Sequence, residues 1–174
     1  MTQLLLVRHA ESSWGEGAAS DHDRPLSTRG REAALRMGAL IARLGVTPDQ
    51  MIASTASRTL ATAHAVATSS GFRGKILGER SLYLASAAEI LRAIRRIVRP
   101  DAARLLIVGH NPGSEDLVYR LTGRIEALPT AALAQIELPI ESWQALRIST
   151  AGTLIGVWRP KTLSPAVANG ENPG

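Results

Sequence analysis

The chain has 174 residues, a formal net charge of +5, 45% hydrophobic residues and no cysteine. That length supports one well-buried core, and the lack of cysteine excludes disulfides, thiolate metal sites and cysteine nucleophiles. The apolar N-terminus is too short for a signal-peptide core, and no run approaches the roughly 20 apolar residues of a membrane span. We therefore expect a single domain over residues 1–160, located in the cytoplasm and without a membrane partner.

The basic residues are almost all arginine, with lysine only at Lys75 and Lys161. Such a charge can indicate nucleic-acid binding. Aromatic residues make up only 3% of the chain, which leaves few side chains on which bases could stack. We therefore expect no nucleic-acid partner, and a steep salt dependence of binding to arbitrary DNA would be needed to restore that function.

Apolar runs of strand length alternate with segments of helical period along the chain. The predicted strands cover residues 3–7, 50–53, 104–108, 132–138 and 145–157. The predicted helices lie between Ser27 or Thr28 and Gly45, from Ser57 to Thr68, between Ser86 and Pro100, and from Pro112 to Leu121, with Asn111 as the N-cap of the last.

This alternation predicts an α/β fold, a three-layer α/β/α sandwich with a mostly parallel central sheet and an antiparallel edge strand. Residues 161–174 have no periodicity and are rich in Gly, Pro and Asn. We expect them to form a loosely attached C-terminal tail.

Polar residues follow three of the predicted strands at the point where each strand ends. Arg8 and His9 follow the first strand, "STASRT" with Arg58 follows the second, and "GHN" with His110 and Asn111 follows another. Ligands of open α/β sheets bind beyond the carboxyl ends of the strands. These side chains are therefore expected to converge on one rim of the sheet.

The converging residue types suit phosphate chemistry. Two guanidinium groups and a helix N-terminus match the bidentate geometry of a phosphate anion. A histidine in such a site can attack phosphorus and form a phosphohistidine, while the second histidine hydrogen-bonds a phosphoryl oxygen. Arginines supply the positive charge and would repel a cation, so we expect no metal and no cofactor.

The stretches "LLLVRHAESSW", "STASRTLATA" and "VGHNPG" resemble the histidine phosphatase superfamily, also called the phosphoglycerate mutase-like family. "SDHDRPLSTRGREAA", "SLYLAS" and "VWRPKTL" are similar to the small SixA-type phosphohistidine phosphatases. The resemblance implies that His9 is the phosphate acceptor, that Arg8 and Arg58 are phosphate ligands, and that His110 is the second pocket histidine. Asn111 and Ser12 are further candidates for substrate binding.

Two features leave alternatives open. Relatives that act on alcohol esters use a glutamate as general acid, and Glu79 is the one candidate for that role here. The alternative is that Glu79 pairs with a surface arginine. The "DHDRPL" loop, which carries Asp21, His22, Asp23 and Arg24, either forms a wall of the substrate entrance or is a salt-bridged loop that prepares the Ser27 cap.

The leading hypothesis is a metal-independent phosphatase that acts through a phosphohistidine intermediate on protein phosphohistidine. The short chain leaves no room for the insertions that enclose small substrates in longer relatives, so we expect an open pocket. An open pocket can admit a phosphorylated side chain of a partner protein. The alternatives are a general small-molecule phosphomonoesterase on the same fold and a non-catalytic phosphoprotein-binding module.

Overall fold

A computed structural model describes residues 1–15 and 17–163 of the chain. Within these ranges the six strands are β1 (Thr2–Arg8), β2 (Gln50–Ser54), β3 (Ile76–Glu79), β4 (Arg104–Gly109), β5 (Leu133–Leu138) and β6 (Thr153–Trp158). The four α-helices are α1 (Thr28–Arg43), α2 (Ser57–Ser70), α3 (Ala87–Ile97) and α4 (Gly113–Thr122).

All six strands belong to one sheet in the order β3-β2-β4-β1-β5-β6. The pairs β3–β2, β2–β4 and β4–β1 are parallel, whereas the pairs β1–β5 and β5–β6 are antiparallel, so of the six strands β5 runs against the others. The predicted mostly parallel sheet is therefore confirmed, and the antiparallel strand expected at the edge is β5, which lies one position in from the edge strand β6. Arg8 pairs with Gly109 in the register of β1 and β4, so the residues after both strands emerge at the same edge.

The sheet carries a helix layer on each face. Leu4, Leu6 and Leu105 face a core that includes α3 and α4. Their neighbours Leu5 and Leu106 face the other core, which includes α1 and α2. Alternate side chains of a strand point to opposite faces, so the continuous apolar runs of β1 and β4 can bury both faces.

The helix starts follow local sequence signals. The Ser27 side chain accepts a hydrogen bond from the Gly30 amide, and Ser86 and Glu89 form the expected reciprocal capping box. The Asn111 cap is wrong, because α4 begins at Gly113 after Pro112 and the cap residue makes no side-chain hydrogen bond.

Two predicted strand assignments need correction. Strand β3 was missed because it is a short edge strand whose residues are only partly buried, so it leaves no apolar run. The last strand begins at Thr153 and not at residue 145, because Trp143–Ala145 form a 3-10 turn whose indole is fully buried. Trp143 and Leu146 thus pack into the core from a loop, whereas Ile148 is 40% exposed.

The first residues of the predicted tail lie against the domain. Residues Pro160–Thr162 form a 3-10 turn, and Leu163 packs with the core on the α1 and α2 face. The rest of the predicted tail, residues 164–174, lies outside the described residues. In the described part of the chain, every helix falls short of the length and apolarity needed to cross a membrane.

Gly113 offers a test of how closely α4 approaches the loop before α3. A methyl group on Gly113 would overlap the carbonyl oxygen of Ala85. We expect Gly113→Ala to lower the free energy of unfolding by about 2 kcal/mol in urea denaturation, because backbone has to move to relieve the overlap.

The matched control is Gly78→Ala, where the nearest side-chain atoms lie at an ordinary 3.6 Å from the added carbon. Its effect should stay within about 0.5 kcal/mol. Equal losses in the two variants would contradict this account of the Gly113 contact.

Candidate active site

Strand β1 delivers Arg8 and His9 to the edge of the sheet. The His9 amide donates to the carbonyl of Gly109 at 3.0 Å, and the Ala131 amide donates to the His9 carbonyl at 3.1 Å. Backbone bonds to neighbouring strand ends therefore hold the residue on both sides. The His9 residue is 8% exposed, so its ring opens only narrowly to solvent.

A backbone hydrogen bond determines the tautomer of His9. Its Nδ1 lies 2.8 Å from the carbonyl oxygen of Ala10. A carbonyl can only accept, so Nδ1 carries the proton and Nε2 keeps a lone pair. Among the described residues, none hydrogen-bonds Nε2. His9 is therefore presented as a neutral imidazole with a free nucleophilic nitrogen.

The pKa of His9 is lowered to about 4, first by burial and then by the charges of Arg58, Arg8 and Arg24, against the opposing effect of the Ala10 hydrogen bond. The imidazole is thus unprotonated at neutral pH. Three arginines therefore lie close enough to act on this ring.

Arg58 lies in the first turn of α2 and is 2% exposed. Its Nη1 donates to the Asp21 carbonyl at 2.7 Å, and its Nη2 donates to Asp21 Oδ2 at 3.0 Å. Nη2 also lies 3.4 Å from Nδ1 of His110. The guanidinium is therefore already turned toward an anionic oxygen next to both histidines.

His110 follows β4 and is 2% exposed. Since Arg58 can only donate, Nδ1 of His110 accepts and Nε2 carries the proton, which it donates to Ser54 Oγ at 2.8 Å. Burial, followed by the effects of His9 and Arg58, lowers the pKa of His110 to about 3. The rings of His9 and His110 have centroids 5.4 Å apart.

Arg8 is held by a hydrogen bond to the segment that precedes β5. Its Nη1 donates to the Leu128 carbonyl at 3.0 Å, and its Nε is buried without a hydrogen-bond partner. Burial lowers the pKa of Arg8, and the charge of Glu115 partly compensates. The structure therefore brings together the four residues at the centre of the sequence hypothesis: Arg8, His9, Arg58 and His110.

Asn111 and Ser12 differ in their placement. The Asn111 amide donates to Glu115 at 2.8 Å and to the Leu128 carbonyl at 3.0 Å, so it braces the segment that holds Arg8. Ser12 forms an isolated antiparallel bridge with Leu26. Substrate contacts from either residue stay predictions.

The "DHDRPL" loop contributes more to the site than the sequence indicated. The Asp21 carboxylate accepts from Arg58, from the Tyr83 hydroxyl at 2.5 Å and from Arg24 in an ion pair at 3.0 Å. The Tyr83 ring lies edge-on to His110, with centroids 5.4 Å apart. The loop is thus salt-bridged and brings Asp21 to the histidines, while the Ser27 side chain bonds to Glu11 and not to this loop. A role as a wall of the substrate entrance stays a prediction.

Arg24 and Tyr83 were not singled out as site residues. The guanidinium of Arg24 stacks over Trp14 at 5.1 Å and acts on the pKa of His9. The charge cluster of the loop and the "SLYLAS" stretch were visible signals. Whether the side chains of Arg24 and Tyr83 point toward His9 and His110 depends on tertiary packing.

Glu79 is the last residue of β3, and its side chain contacts Ser81 and Arg96 and none of the four central residues. Its Oε1 accepts from Ser81 Oγ at 2.8 Å and from Arg96 Nη2 at 2.7 Å. These bonds, the Ser81 bond first, lower the pKa of Glu79. A general acid needs a raised pKa. The structure therefore favours the surface ion pair over the general acid for Glu79.

Comparison with known proteins agrees with this geometry. Residues 4–82 match the model of the histidine phosphatase superfamily, branch 1. An uncharacterized chloroplastic protein of Arabidopsis thaliana is 31% identical over 150 residues, which cover 82% of this chain and 69% of the relative.

Solved structures share the whole fold. A protein from Nakamurella multipartitia, provisionally identified as the phosphohistidine phosphatase SixA, has a TM-score of 0.79 and 26% identity over 91% of this chain and 96% of its own. A phosphoglycerate mutase from Bacillus anthracis has a TM-score of 0.64 and 15% identity over 97% and 96% of the two chains. The expected phosphoglycerate mutase-like fold is therefore confirmed.

Fold and site together define a phosphatase with a SixA-like architecture. The chain belongs to the histidine phosphatase superfamily.

The lowered histidine pKa values predict a loss of stability on mild acidification. In the unfolded chain a histidine takes up its proton near pH 6.5, whereas folded His9 and His110 do so near 4 and 3. Below pH 6.5 the unfolded chain binds more protons than the folded one. The free energy of unfolding should therefore fall between pH 7 and pH 5, by on the order of 1–2 kcal/mol per histidine.

Urea denaturation at both pH values measures this change. Relative to the wild type, His110→Asn should show a smaller difference between pH 7 and pH 5, because it removes one of the two groups. An identical difference in the two proteins would contradict the assignment to His110.

Proposed function

We propose that this phosphatase is metal-independent, forms a phosphohistidine intermediate on His9 and acts on protein phosphohistidine. The observation that carries the proposal is the 2.8 Å hydrogen bond from His9 Nδ1 to the Ala10 carbonyl, which leaves Nε2 as an unprotonated nucleophile. A phosphorylated protein is then the partner, and no cofactor takes part.

The first step is attack of His9 Nε2 on the phosphorus of the substrate. A bond forms from Nε2 to phosphorus as the bond from phosphorus to the substrate's leaving group breaks. Arg8 and Arg58 offset the charge on the phosphoryl oxygens, since guanidinium groups donate to them bidentately. Because Arg58 already binds the Asp21 carboxylate at 3.0 Å, it is oriented for an anionic oxygen before substrate arrives.

The second step is hydrolysis of the phosphoenzyme. Water adds to phosphorus, the bond to Nε2 breaks, and inorganic phosphate leaves while Nε2 recovers its lone pair. The proton stays on Nδ1 and remains hydrogen-bonded to the Ala10 carbonyl throughout, so the same ring nitrogen serves in every turnover. The arginines provide positive charge at each step, which is why the proposal needs no metal ion.

The substrate class rests on the leaving group. A phosphohistidine protonated on its other ring nitrogen leaves as neutral imidazole, whereas an alkoxide needs a proton from an acid. The engagement of Glu79 with Arg96 at 2.7 Å supports a substrate of the first kind. The 26% identical Nakamurella protein, provisionally identified as a phosphohistidine phosphatase, supports the same class. The cytoplasmic location expected from the sequence stays a prediction.

Phosphate release in the presence of EDTA tests the mechanism. We expect the wild type to release phosphate from a phosphohistidine protein and from an aryl phosphate, and His9→Ala to lose several orders of magnitude in kcat. Rapid quenching should trap an acid-labile phosphoryl group on the wild-type chain. Abolition of turnover by EDTA, with rescue by added metal, would overturn metal independence.

The two substrates separate the alternatives. A higher kcat/KM on the aryl phosphate than on the phosphohistidine protein would favour a general small-molecule phosphomonoesterase. Binding of the phosphoprotein without release of phosphate would favour a non-catalytic binding module.

Glu79→Gln tests whether a carboxylic acid assists the leaving group. Because Glu79 is held by Ser81 and Arg96, we expect kcat/KM on both substrates to stay within about twofold, whereas loss of a general acid costs about 10²–10⁴-fold. Arg96→Gln is the matched control, since it breaks the same ion pair from the other side. A large loss confined to Glu79→Gln would restore the general acid.

A further inference from the structure

A second cleft opens beside the site, with a volume of about 470 Å³. Its polar lining consists mainly of basic side chains and includes Glu11, Arg29, Arg36, Thr130, Arg159 and Lys161. None of the four central pocket residues lines it. It is therefore a separate concavity, referred to below as the basic cleft.

The basic cleft lies at the same edge of the sheet as His9. Val7, near the end of β1, pairs with Leu133, and Leu133 pairs with Trp158 at the end of β6. Thr130 and Arg159 flank these two strand ends and therefore emerge at the catalytic edge. Glu11 follows His9 by two residues, so their Cα atoms are at most about 7 Å apart.

The cleft carries more positive charge than its own carboxylates balance. Arg29 pairs with Glu11 at 2.6 Å, and Arg159 pairs with Glu126 at 2.9 Å. Arg36 and Lys161 have no ion pair with any described carboxylate, and Nε of Arg36 is shielded from solvent without a hydrogen-bond partner. Two cations on different elements thus face a cavity whose lining carboxylate, Glu11, is already paired with Arg29 and also feels the charge of Lys161.

We propose that the basic cleft is a subsite for an acidic side chain of the protein substrate, bound by Arg36 and Lys161 while the phosphorylated residue occupies the His9 pocket. This inference rests on the proposed function and adds a sequence preference to it.

The two cations suit a carboxylate in complementary ways. The planar guanidinium of Arg36 presents a fork that matches the two carboxylate oxygens, and the ammonium of Lys161 adds a mobile charge from the segment after β6. Because Glu11 already neutralises Arg29, the anion of the substrate is drawn toward Arg36 and Lys161.

Two pairs of peptides test the preference. One pair carries phosphohistidine and the other phosphotyrosine, and within each pair the flanking positions hold either glutamate or glutamine. For the wild type we expect a KM about fivefold lower with glutamate flanks and an unchanged kcat, because exposed ion pairs contribute modestly to binding. The preference should shrink at about 0.5 M salt, where exposed charges are screened.

The double variant Arg36→Gln with Lys161→Gln should bring the KM ratio within each pair to about one while leaving kcat unchanged. Arg31→Gln with Lys75→Gln is the matched control, because it removes the same charges from residues outside the cleft. This control should keep the wild-type preference. Thermal unfolding of all three proteins checks that the substitutions leave the fold intact.

The outcomes separate this inference from the proposed function. Glutamate preference on the phosphotyrosine pair, with no hydrolysis of the phosphohistidine pair, would overturn the proposed substrate and support the subsite. Hydrolysis of both pairs without any glutamate preference, or with a preference that survives in the double variant, would overturn the subsite alone. No hydrolysis of any peptide would overturn both.

Discussion

Positive charge collected in a largely buried pocket is the constraint on which the rest of the site depends. Arg58 is 2% exposed, and its surroundings also hold Arg8 and two histidines. Buried cations are costly unless they are paired and hydrogen-bonded. The fold meets this cost with the Asp21 carboxylate and with backbone carbonyls, and both histidines stay neutral. Because both histidines are neutral and the arginines keep their positive charge, the pocket favours an anion.

Neutral histidines and fixed arginines divide the chemistry between them. The Ala10 carbonyl selects one tautomer of His9, and Ser54 with Arg58 selects the complementary tautomer of His110. In the proposed mechanism, the nucleophilicity of His9 therefore comes from burial and hydrogen bonding, while charge stabilisation comes from groups that do not titrate near neutral pH. The basic cleft extends this electrostatic preference along the edge of the sheet toward the substrate's flanking residues.

Much of the architecture could be predicted because it depends on local periodicity. The apolar runs of β1 and β4 and the capping box at Ser86 lie close to their predicted positions. Strand β3 escaped prediction because an edge strand with partly exposed residues has no continuous apolar run. The segment before Gly152 was assigned to a strand because it contains apolar residues. In the structure Trp143 lies in a 3-10 turn, and its side chain is buried from there.

The sequence by itself determined the alternation of strands and helices and the residue types at the strand ends, because these follow from local hydrophobic patterning and from order along the chain. Only the tertiary structure decided that Asp21 and Tyr83 join the pocket and that Glu79 pairs with Arg96. The direction of a loop side chain depends on contacts between segments tens of residues apart. Local patterning does not encode those contacts.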